Sequence, residues 1–294
     1  MELSALQSFA EVARHGSFSA AAERLFLTQP AISKRIAALE KELDSRLFDR
    51  IGRRVSLTEA GRALLPAAER LLTDAADMRR LVSNLSGQIS GPLELGTSHH
   101  VGLHRLPPVL RAYHRDYPEV HLNIRFLDSE TACAAVASGD LELAVVTLPT
   151  EAPPNLDLQV VWDDPLHFVV GREHRLAGLA EATLAQITQL PAVLPSHGTY
   201  TRAILEQAVT DAGLPLHVAM STNYLETLKM LAATGLGWSL LPTTLLDDSL
   251  HPVRVKGVRL ARRLGLVRNR DRTLSNAAAR FMTLCRTHGN TTGT

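Results

Sequence analysis

With 294 residues, the chain is long enough for two or three domains, because a single hydrophobic core usually stops growing at about 250–300 residues. Hydrophobic residues make up 45% of the chain and aromatic residues 4%, which favours a helix-rich soluble protein over a β-sandwich or a disordered chain; no segment approaches the roughly 18 uncharged apolar residues of a membrane span. The net charge of +1 hides a locally basic stretch from Arg24 to Arg62, which matters only if the fold aligns its cations.

The first predicted elements are two short helices. Apolar residues recur with helical period from Leu3 to Ala13, and Gly16 then ends the helix. A second helix follows, opened by Ser17 or Ser19, either of whose hydroxyls can accept a hydrogen bond from a free first-turn amide.

A third helix begins after Thr28, a good N-cap residue, with Pro30 in its first turn. Its inner face repeats with spacings of 4, 3 and 4 and consists of Ile32, Ile36, Leu39 and Leu43. The opposite, solvent-facing side then carries Gln29, Ser33, Lys34 and Arg35. Short polar donors and cations at the start of a third helix are suited to contacts in a DNA major groove.

Two short predicted strands, Leu47 to Arg50 and Val55 to Leu57, flank a basic tip and form a wing. Wing arginines can enter a minor groove or bind phosphates. We therefore predict DNA contacts from Gln29, Ser33, Lys34 and Arg35 of the helix and from Arg50, Arg53 and Arg54 of the wing. The family resemblance described below adds Thr28 and Pro30 at the start of the helix. The alternative is a three-helix structural unit with a charged surface.

A fourth helix, capped by Thr58, carries an apolar seam whose spacing alternates between 4 and 3, which favours pairing with a second helix. The seam consists of Leu64, Ala68, Leu71, Ala75, Met78, Val82 and Leu85. Two DNA heads joined in this way would bind a palindromic operator. A helix that faces the core of one domain is the alternative.

After the breaks at Ser86-Gly87 and Ser90-Gly91, strand and helix patterns alternate to the end, which predicts an α/β region with mainly parallel sheets. The strand candidates are 93–97, 120–127, 141–148, 166–170, 192–194, 218–220, 238–241 and 264–268. Ligands of such sheets bind beyond the carboxyl ends of the strands.

The N-terminal segment resembles the DNA-binding segment of LysR-type transcriptional regulators in the run FSAAAERLFLTQPAISKRIAALEKELDSRLFDR and the following RRVSLTEAG. The resemblance implies that Gln29, Pro30, Ser33 and Lys34 approach bases and phosphates and that Arg53 lies in the wing. The family commonly has Arg at position 34, and Lys lacks its bidentate fork.

The C-terminal region resembles the effector domain of the same family, and through it periplasmic binding proteins, in LELGTS, LPPVL, SGDLELAVV and GLGWSLLP. This implies two lobes joined by crossover strands, which we place near Val161-Trp162 and Val267-Arg268. The predicted domains are a winged helix-turn-helix (1–57), a dimerising linker helix (58–88), effector lobe I (92–161, with 268–294 returning to it) and lobe II (162–267).

By the same resemblance, polar residues at strand ends face a cleft between the lobes and bind a small effector: Ser98, His99, His100, Ser129, Thr131, Thr147, Ser196, His197, Gly198, Thr199, Asn223 and Tyr224. Hydroxyls and amides at helix N-termini favour an anion, with which a protonated His100 could pair. Each residue taken singly is more often a plain helix cap.

No metal is expected, because adjacent histidines such as His99 and His100 rarely face one ion and no acidic or cysteine partner sits at ligand spacing. Cys133 and Cys285 are too far apart in sequence to indicate a disulfide framework. No cofactor is expected beyond the effector. The predicted partners are promoter DNA, the effector and a second copy of the chain, with RNA polymerase as a further candidate and no membrane.

The predicted function is a cytoplasmic transcriptional regulator that acts as a dimer or tetramer. Two alternatives remain: a two-lobed enzyme, or a ligand-binding protein with a DNA-binding appendage. The enzyme is disfavoured because none of the phosphate-binding, serine-nucleophile or HExxH motifs occurs. A transport protein would need export, and the N-terminus has no pattern of a secretory signal.

Overall fold

The chain divides into two units, Met1–Ser86 and Gly87–Thr294. The computed structural model describes residues 1–51 and 54–289. The first unit is helical apart from one short hairpin, whereas the second mixes helices and strands. Among the described residues, no helix combines the length and apolar character needed to cross a membrane.

The first unit begins with three helices, α1 (Leu3–His15), α2 (Phe18–Arg24) and α3 (Gln29–Glu42). α1 ends at Gly16, whose φ of 60° lies in the left-handed region that glycine adopts easily. Of the two serines considered for α2, Ser17 is the cap, since its hydroxyl accepts the N–H of Ala20 at 3.3 Å. Thr28 occupies the N-cap position of α3, as predicted, but its side chain makes no capping hydrogen bond.

The core of this unit lies between the three helices and the hairpin. Phe9, Ile32 and Ile36 are fully buried, and the rings of Phe9 and Phe18 pack 5.4 and 5.7 Å from the ring of Phe48. Each such side chain stabilises the fold by about 1.5–3 kcal/mol before entropy costs. Because the inner face of α3 is fixed in this core, its opposite face lies towards solvent.

The hairpin consists of the antiparallel strands β1 (Phe48–Ile51) and β2 (Arg54–Leu57). Glu40 of α3 holds the entry to β1, because its carboxylate accepts the N–H of Leu47 at 2.7 Å and that of Phe48 at 3.3 Å. A long helix, α4 (Glu59–Leu85), follows. The predicted cap is confirmed, since Thr58 Oγ1 accepts the N–H of Gly61 at 3.0 Å.

The second unit contains, in chain order, β3 (Gly91–Thr97), α5 (His99–His104), α6 (Leu106–Asp116), β4 (Val120–Phe126), α7 (Ser129–Ser138), β5 (Leu143–Thr147), β6 (Leu156–Gly171), α8 (Leu184–Thr188), β7 (Ala192–Leu194), α9 (Tyr200–Asp211), β8 (Val218–Ser221), α10 (Leu225–Ala233), β9 (Ser239–Pro242), β10 (Leu250–Val253), β11 (Leu260–Asn269) and α11 (Asn276–Gly289). Two 3₁₀ turns, Arg175–Gly178 and Thr243–Leu245, complete it.

The larger sheet has the strand order β10-β6-β11-β5-β3-β4, with β9 also paired to β6, and β7 and β8 form a separate parallel pair. In the larger sheet only β3–β4 and β3–β5 are parallel. The expectation of mainly parallel sheets is therefore wrong for this sheet. The reason is that its two longest strands, β6 and β11, run antiparallel to every strand they contact.

β6 and β11 connect two lobes, each with its own hydrophobic clusters. Lobe I carries β3 to β5, α5 to α7 and α11, and lobe II carries α8 to α10 and β7 to β10. The two long strands pair along their length, with a register shift between Leu264 and Gly265. This shift falls three residues before Val267-Arg268, where the second crossover was predicted. Gly265 is required there, because a Cβ would lie 2.1 Å from the carbonyl oxygen of Gln159.

Both long strands extend further than predicted. β6 begins ten residues before Leu166, and β11 begins four residues before Leu264. The unpredicted parts contain Asp163, Asp164 and Arg262, whose charges hid the alternating pattern of a strand. Those charged residues lie next to the candidate site.

Candidate functional site

The exposed face of α3 is the candidate DNA-binding surface. Thr28, Gln29, Pro30 and Lys34 are exposed and Ser33 is half-buried. The amide of Gln29 donates to Ser33 Oγ at 3.1 Å, which places both polar groups together at the start of the helix. This surface offers amide, hydroxyl and ammonium groups, which can donate hydrogen bonds to base edges and phosphates.

Arg35 differs from its neighbours on α3. It is half-buried, and its Nη1 lies 3.5 Å from Ser8 Oγ of α1. Arg35 precedes the buried Ile36, at the edge of the face that packs against α1. It therefore lies at the edge of the exposed face and not in its middle, and its predicted contact with DNA stays a prediction.

The wing residues are described only in part. Arg50 and Arg54 lie in β1 and β2, but their side chains are outside the described residues. Arg53 also lies outside the described residues. Their predicted contacts with DNA stay predictions.

The apolar seam of α4 divides into two parts. Ala68 is fully buried in the core of the first unit, so it is not free to contact a second helix as predicted. Leu64 packs against the same core but is only half-buried. Ala75 is also buried. The rest of the seam is exposed, with the exposed fraction rising from 43% at Leu71 through 61% at Met78 and 71% at Val82 to 87% at Leu85.

A small cavity of about 50 Å³ lies between the two lobes of the second unit. Seven residues of the predicted effector site line it: Ser98, His99, His100, Ser129, Thr147, Thr199 and Asn223. Five others are not in its lining: Thr131, Ser196, His197, Gly198 and Tyr224. The sequence analysis missed Asp128, Glu130, Pro195, Thr201, Leu225 and Arg262.

Helix N-termini surround this cavity. α7 and α9 begin beside it, with Asp128 and Thr199 as their N-cap residues, and Leu225 opens α10. Free N–H groups and the helix dipole produce a positive potential at such ends. The backbone therefore favours a negatively charged group in the cavity.

Two arginines surround one buried carboxylate beside the cavity. Asp164 is fully buried and accepts hydrogen bonds from Arg262 Nε at 2.8 Å and Arg105 Nη2 at 2.9 Å. Arg262 Nη1 also donates to Thr201 Oγ1 at 3.1 Å, whereas its Nη2 has no hydrogen-bond partner among the described residues. Burial lowers the pKa of Arg262, against the attraction of Asp164; a guanidinium nevertheless keeps its charge in proteins.

His100 is a neutral group in this site. Burial first, and the neighbouring Arg262 second, lower its pKa to about 3, although Asp164 acts in the opposite direction. The expectation that a protonated His100 pairs with an anion is therefore wrong at neutral pH. Its Nε2 lies 3.3 Å from Thr244 Oγ1 and 3.9 Å from Asp164 Oδ2.

Hydrogen bonds cross the cleft at its rim. Asn223 of lobe II donates to Asp128 of lobe I at 2.8 Å, and its carbonyl oxygen accepts the N–H of Ser196 at 3.0 Å. Glu130 of lobe I accepts the N–H of Tyr200 in lobe II. These contacts hold the lobes together around the cavity, which explains its small volume.

Two family models cover nearly all of the chain. Residues 3–62 match the model described as bacterial regulatory helix-turn-helix protein, lysR family, and residues 86–290 match the one described as LysR substrate binding domain. The chain is a LysR-family transcriptional regulator. The family consists of transcriptional regulators, so the enzyme considered as an alternative is ruled out.

Known proteins resemble this LysR-family chain over different lengths. An uncharacterised HTH-type transcriptional regulator from the ibpB-leuC intergenic region of Azotobacter vinelandii is 65% identical over 108 residues, which are 37% of this chain and 75% of that one. Full-length OxyR from Pseudomonas aeruginosa superposes with a TM-score of 0.72 at 22% identity, covering 99% and 95% of the two chains. CbnR in complex with its target DNA superposes with a TM-score of 0.65 at 22% identity, covering 98% and 100%. At these identities the two structures show the fold alone.

Proposed function

We propose that this LysR-family regulator binds promoter DNA as a dimer or larger oligomer and changes that binding when a small monoanion occupies the cavity between its lobes. The exposed face of α3 supplies the polar contacts to DNA, as the sequence resemblance implies. The exposed part of the α4 seam supplies the contact with a second copy. The regulator acts in the cytoplasm, with RNA polymerase as a further partner.

The single observation on which the proposal of an anionic ligand rests is that Nη2 of Arg262 has no hydrogen-bond partner among the described residues. This guanidinium is buried, and its other two nitrogens are already bound to Asp164 and Thr201. A buried charged donor without a partner is costly, so a ligand oxygen that accepts from it gains binding energy.

Asp128 and Glu130 line the same cavity and limit the charge of the ligand. Their carboxylates are engaged by Asn223 and by the backbone of Tyr200, but they still repel a second negative charge. A monoanion therefore fits better than a dianion.

The cavity volume limits the size of the ligand. About 50 Å³ is far below the roughly 300–1,000 Å³ of pockets for drug-sized molecules. The ligand is therefore small, such as an inorganic anion or a short carboxylate, or the lobes open to admit a larger one.

A ligand that touches both lobes can change the angle between them. Thr199 and Asn223 come from lobe II, whereas Ser98 and Ser129 come from lobe I. Such a ligand binds the closed arrangement better than an open one, and only that difference in affinity can shift the population.

Calorimetric titration with a panel of small monoanions, each beside its neutral amide or alcohol analogue, tests the proposal. The decisive variants are Arg262→Met and, as a matched control, Arg263→Met, because the next residue of β11 is exposed. We expect Arg263→Met to bind as the unchanged protein does, and Arg262→Met to lose about tenfold or more, the loss of one charge-assisted hydrogen bond. Equal binding by both variants, or equal binding of anions and neutral analogues, would contradict the anion site.

A further inference from the structure

Two histidines and a glutamate meet where the lobes face each other. His100 and His104 lie one helical turn apart on α5 of lobe I, and Glu226 lies in the first turn of α10 of lobe II. One ring nitrogen of each histidine and one carboxylate oxygen lie within 4.8 Å of one another. His104 Nε2 is 3.0 Å from Glu226 Oε1, and the two imidazole rings are 4.7 Å apart.

A plain ion pair between His104 and Glu226 leaves His100 unexplained. This ring is almost fully buried, and its Nδ1 has no hydrogen-bond partner among the described residues. A buried polar nitrogen without a partner costs free energy, so this ring gains from any ligand that reaches that nitrogen. The Nε2 edge faces the hydroxyl of Thr244 and the carboxylate of Asp164, which is the type of outer partner that orients metal-binding histidines.

We propose that His100, His104 and Glu226 bind one divalent transition-metal ion of the Zn²⁺ type. Histidines at i and i+4 present their rings on one helix face, a spacing found in zinc sites. Imidazole ligands favour Zn²⁺ and its neighbours over Mg²⁺ or Ca²⁺. Ligands at about 2.0–2.2 Å from the metal lie roughly 3.3–3.5 Å apart in a tetrahedral site, so the partly exposed Glu226 and His104 need only small rotations.

Three protein ligands leave a fourth position for water. The positive charges of Arg105 and Arg262 near the site are balanced by Asp164 and Glu226. Glu226 could not be recognised from the sequence as a partner of the histidines, because it lies 122 residues from His104 along the chain. Spacing along the chain therefore did not indicate that an acidic side chain lies beside the two histidines.

A metal at this position would join the two lobes directly. His100 and His104 belong to lobe I and Glu226 to lobe II, so a bound ion stabilises the closed arrangement without an organic ligand. Neither His104 nor Glu226 lines the cavity. His100 does line it, so the two sites share one residue, but His104 and Glu226 allow the metal proposal to be tested independently of the anion response.

Titration of the tag-free, full-length protein with Zn²⁺ tests the proposal, with Co²⁺ as a probe whose visible absorption reports its coordination. The variants are His104→Ala and Glu226→Gln, both at partly exposed positions, with folding checked by circular dichroism. The matched control is His197→Ala, because His197 and Glu206 form a similar pair at 3.2 Å and lie in no described metal-binding cluster.

We expect one Zn²⁺ per chain, a higher melting temperature with Zn²⁺, and an affinity lowered about tenfold or more in His104→Ala and Glu226→Gln but not in His197→Ala. Absence of Zn²⁺ binding overturns the proposal. So does equal affinity in all three variants, or Co²⁺ absorption that His104→Ala leaves unchanged.

Discussion

Asp164 joins lobe I to the two connecting strands electrostatically. Its fully buried carboxylate binds Arg105, which precedes α6 of lobe I, and Arg262 of β11. Sequence analysis could not assign this role, because a single charged residue in a strand is usually exposed. The available clue was that Asp164 and Arg262 each occupy the inward position between apolar residues, Trp162 and Leu166 in one strand and Leu260 and Leu264 in the other.

Asp164→Asn should lower the free energy of unfolding by about 3–5 kcal/mol, because it leaves the buried Arg262 and the half-buried Arg105 without this counter-charge. Asp163→Asn is the matched control, since that neighbour is exposed, and should stay within about 0.5 kcal/mol. Urea unfolding of the full-length protein, followed by circular dichroism, measures both. Equal stability of the two variants would show that the buried carboxylate does not hold the arginines.

Elements with a regular apolar period could be predicted from the sequence, and elements interrupted by charge could not. The spacing of 4, 3 and 4 in α3 correctly identified Ile32, Ile36 and Leu39 as buried, but was wrong for Leu43, which is 37% exposed at the end of the helix. The ends of β6 and β11 were missed, since their charged pair is satisfied only when both strands are placed side by side in register. The apolar seam of α4 was also ambiguous, because the same spacing suits a helix that packs in its own core and a helix that pairs with a second one. Ala68 packs in the core of the first unit, whereas Met78 is exposed.

The exposed part of α4 leads to a prediction about assembly. Leu71→Asp combined with Met78→Asp should convert the dimer to folded monomers, because each aspartate would bury a charge at the helix contact. Arg70→Asp combined with Arg79→Asp, two exposed neighbours on the same helix, should leave the dimer intact. Sedimentation velocity distinguishes the two results. A dimer that survives the first pair of changes would place the interface on another surface.

At the scale of the whole molecule, the sequence predicted both parts of the regulator and most of the polar side chains around the cavity. Those residues follow the carboxyl ends of strands, where ligands of α/β sheets usually bind, so the sequence pattern was sufficient to identify them. Arg262 and Glu226 lie in the middle of a strand and on a helix, so only the fold brings them to the cleft. The ligand charge and the metal site therefore depend on three-dimensional contacts that no spacing along the chain indicates.

In the proposed function, an anion bound at Arg262 changes the binding of the regulator to DNA. DNase I footprinting on the DNA upstream of its own gene, titrated with a monoanion that binds in calorimetry, tests this most directly. We predict that the anion alters the protected region or its half-saturation for the unchanged protein and for Arg263→Met. Arg262→Met should still protect the DNA without responding to the anion. A full anion response in Arg262→Met, or none in the unchanged protein, would contradict the claim.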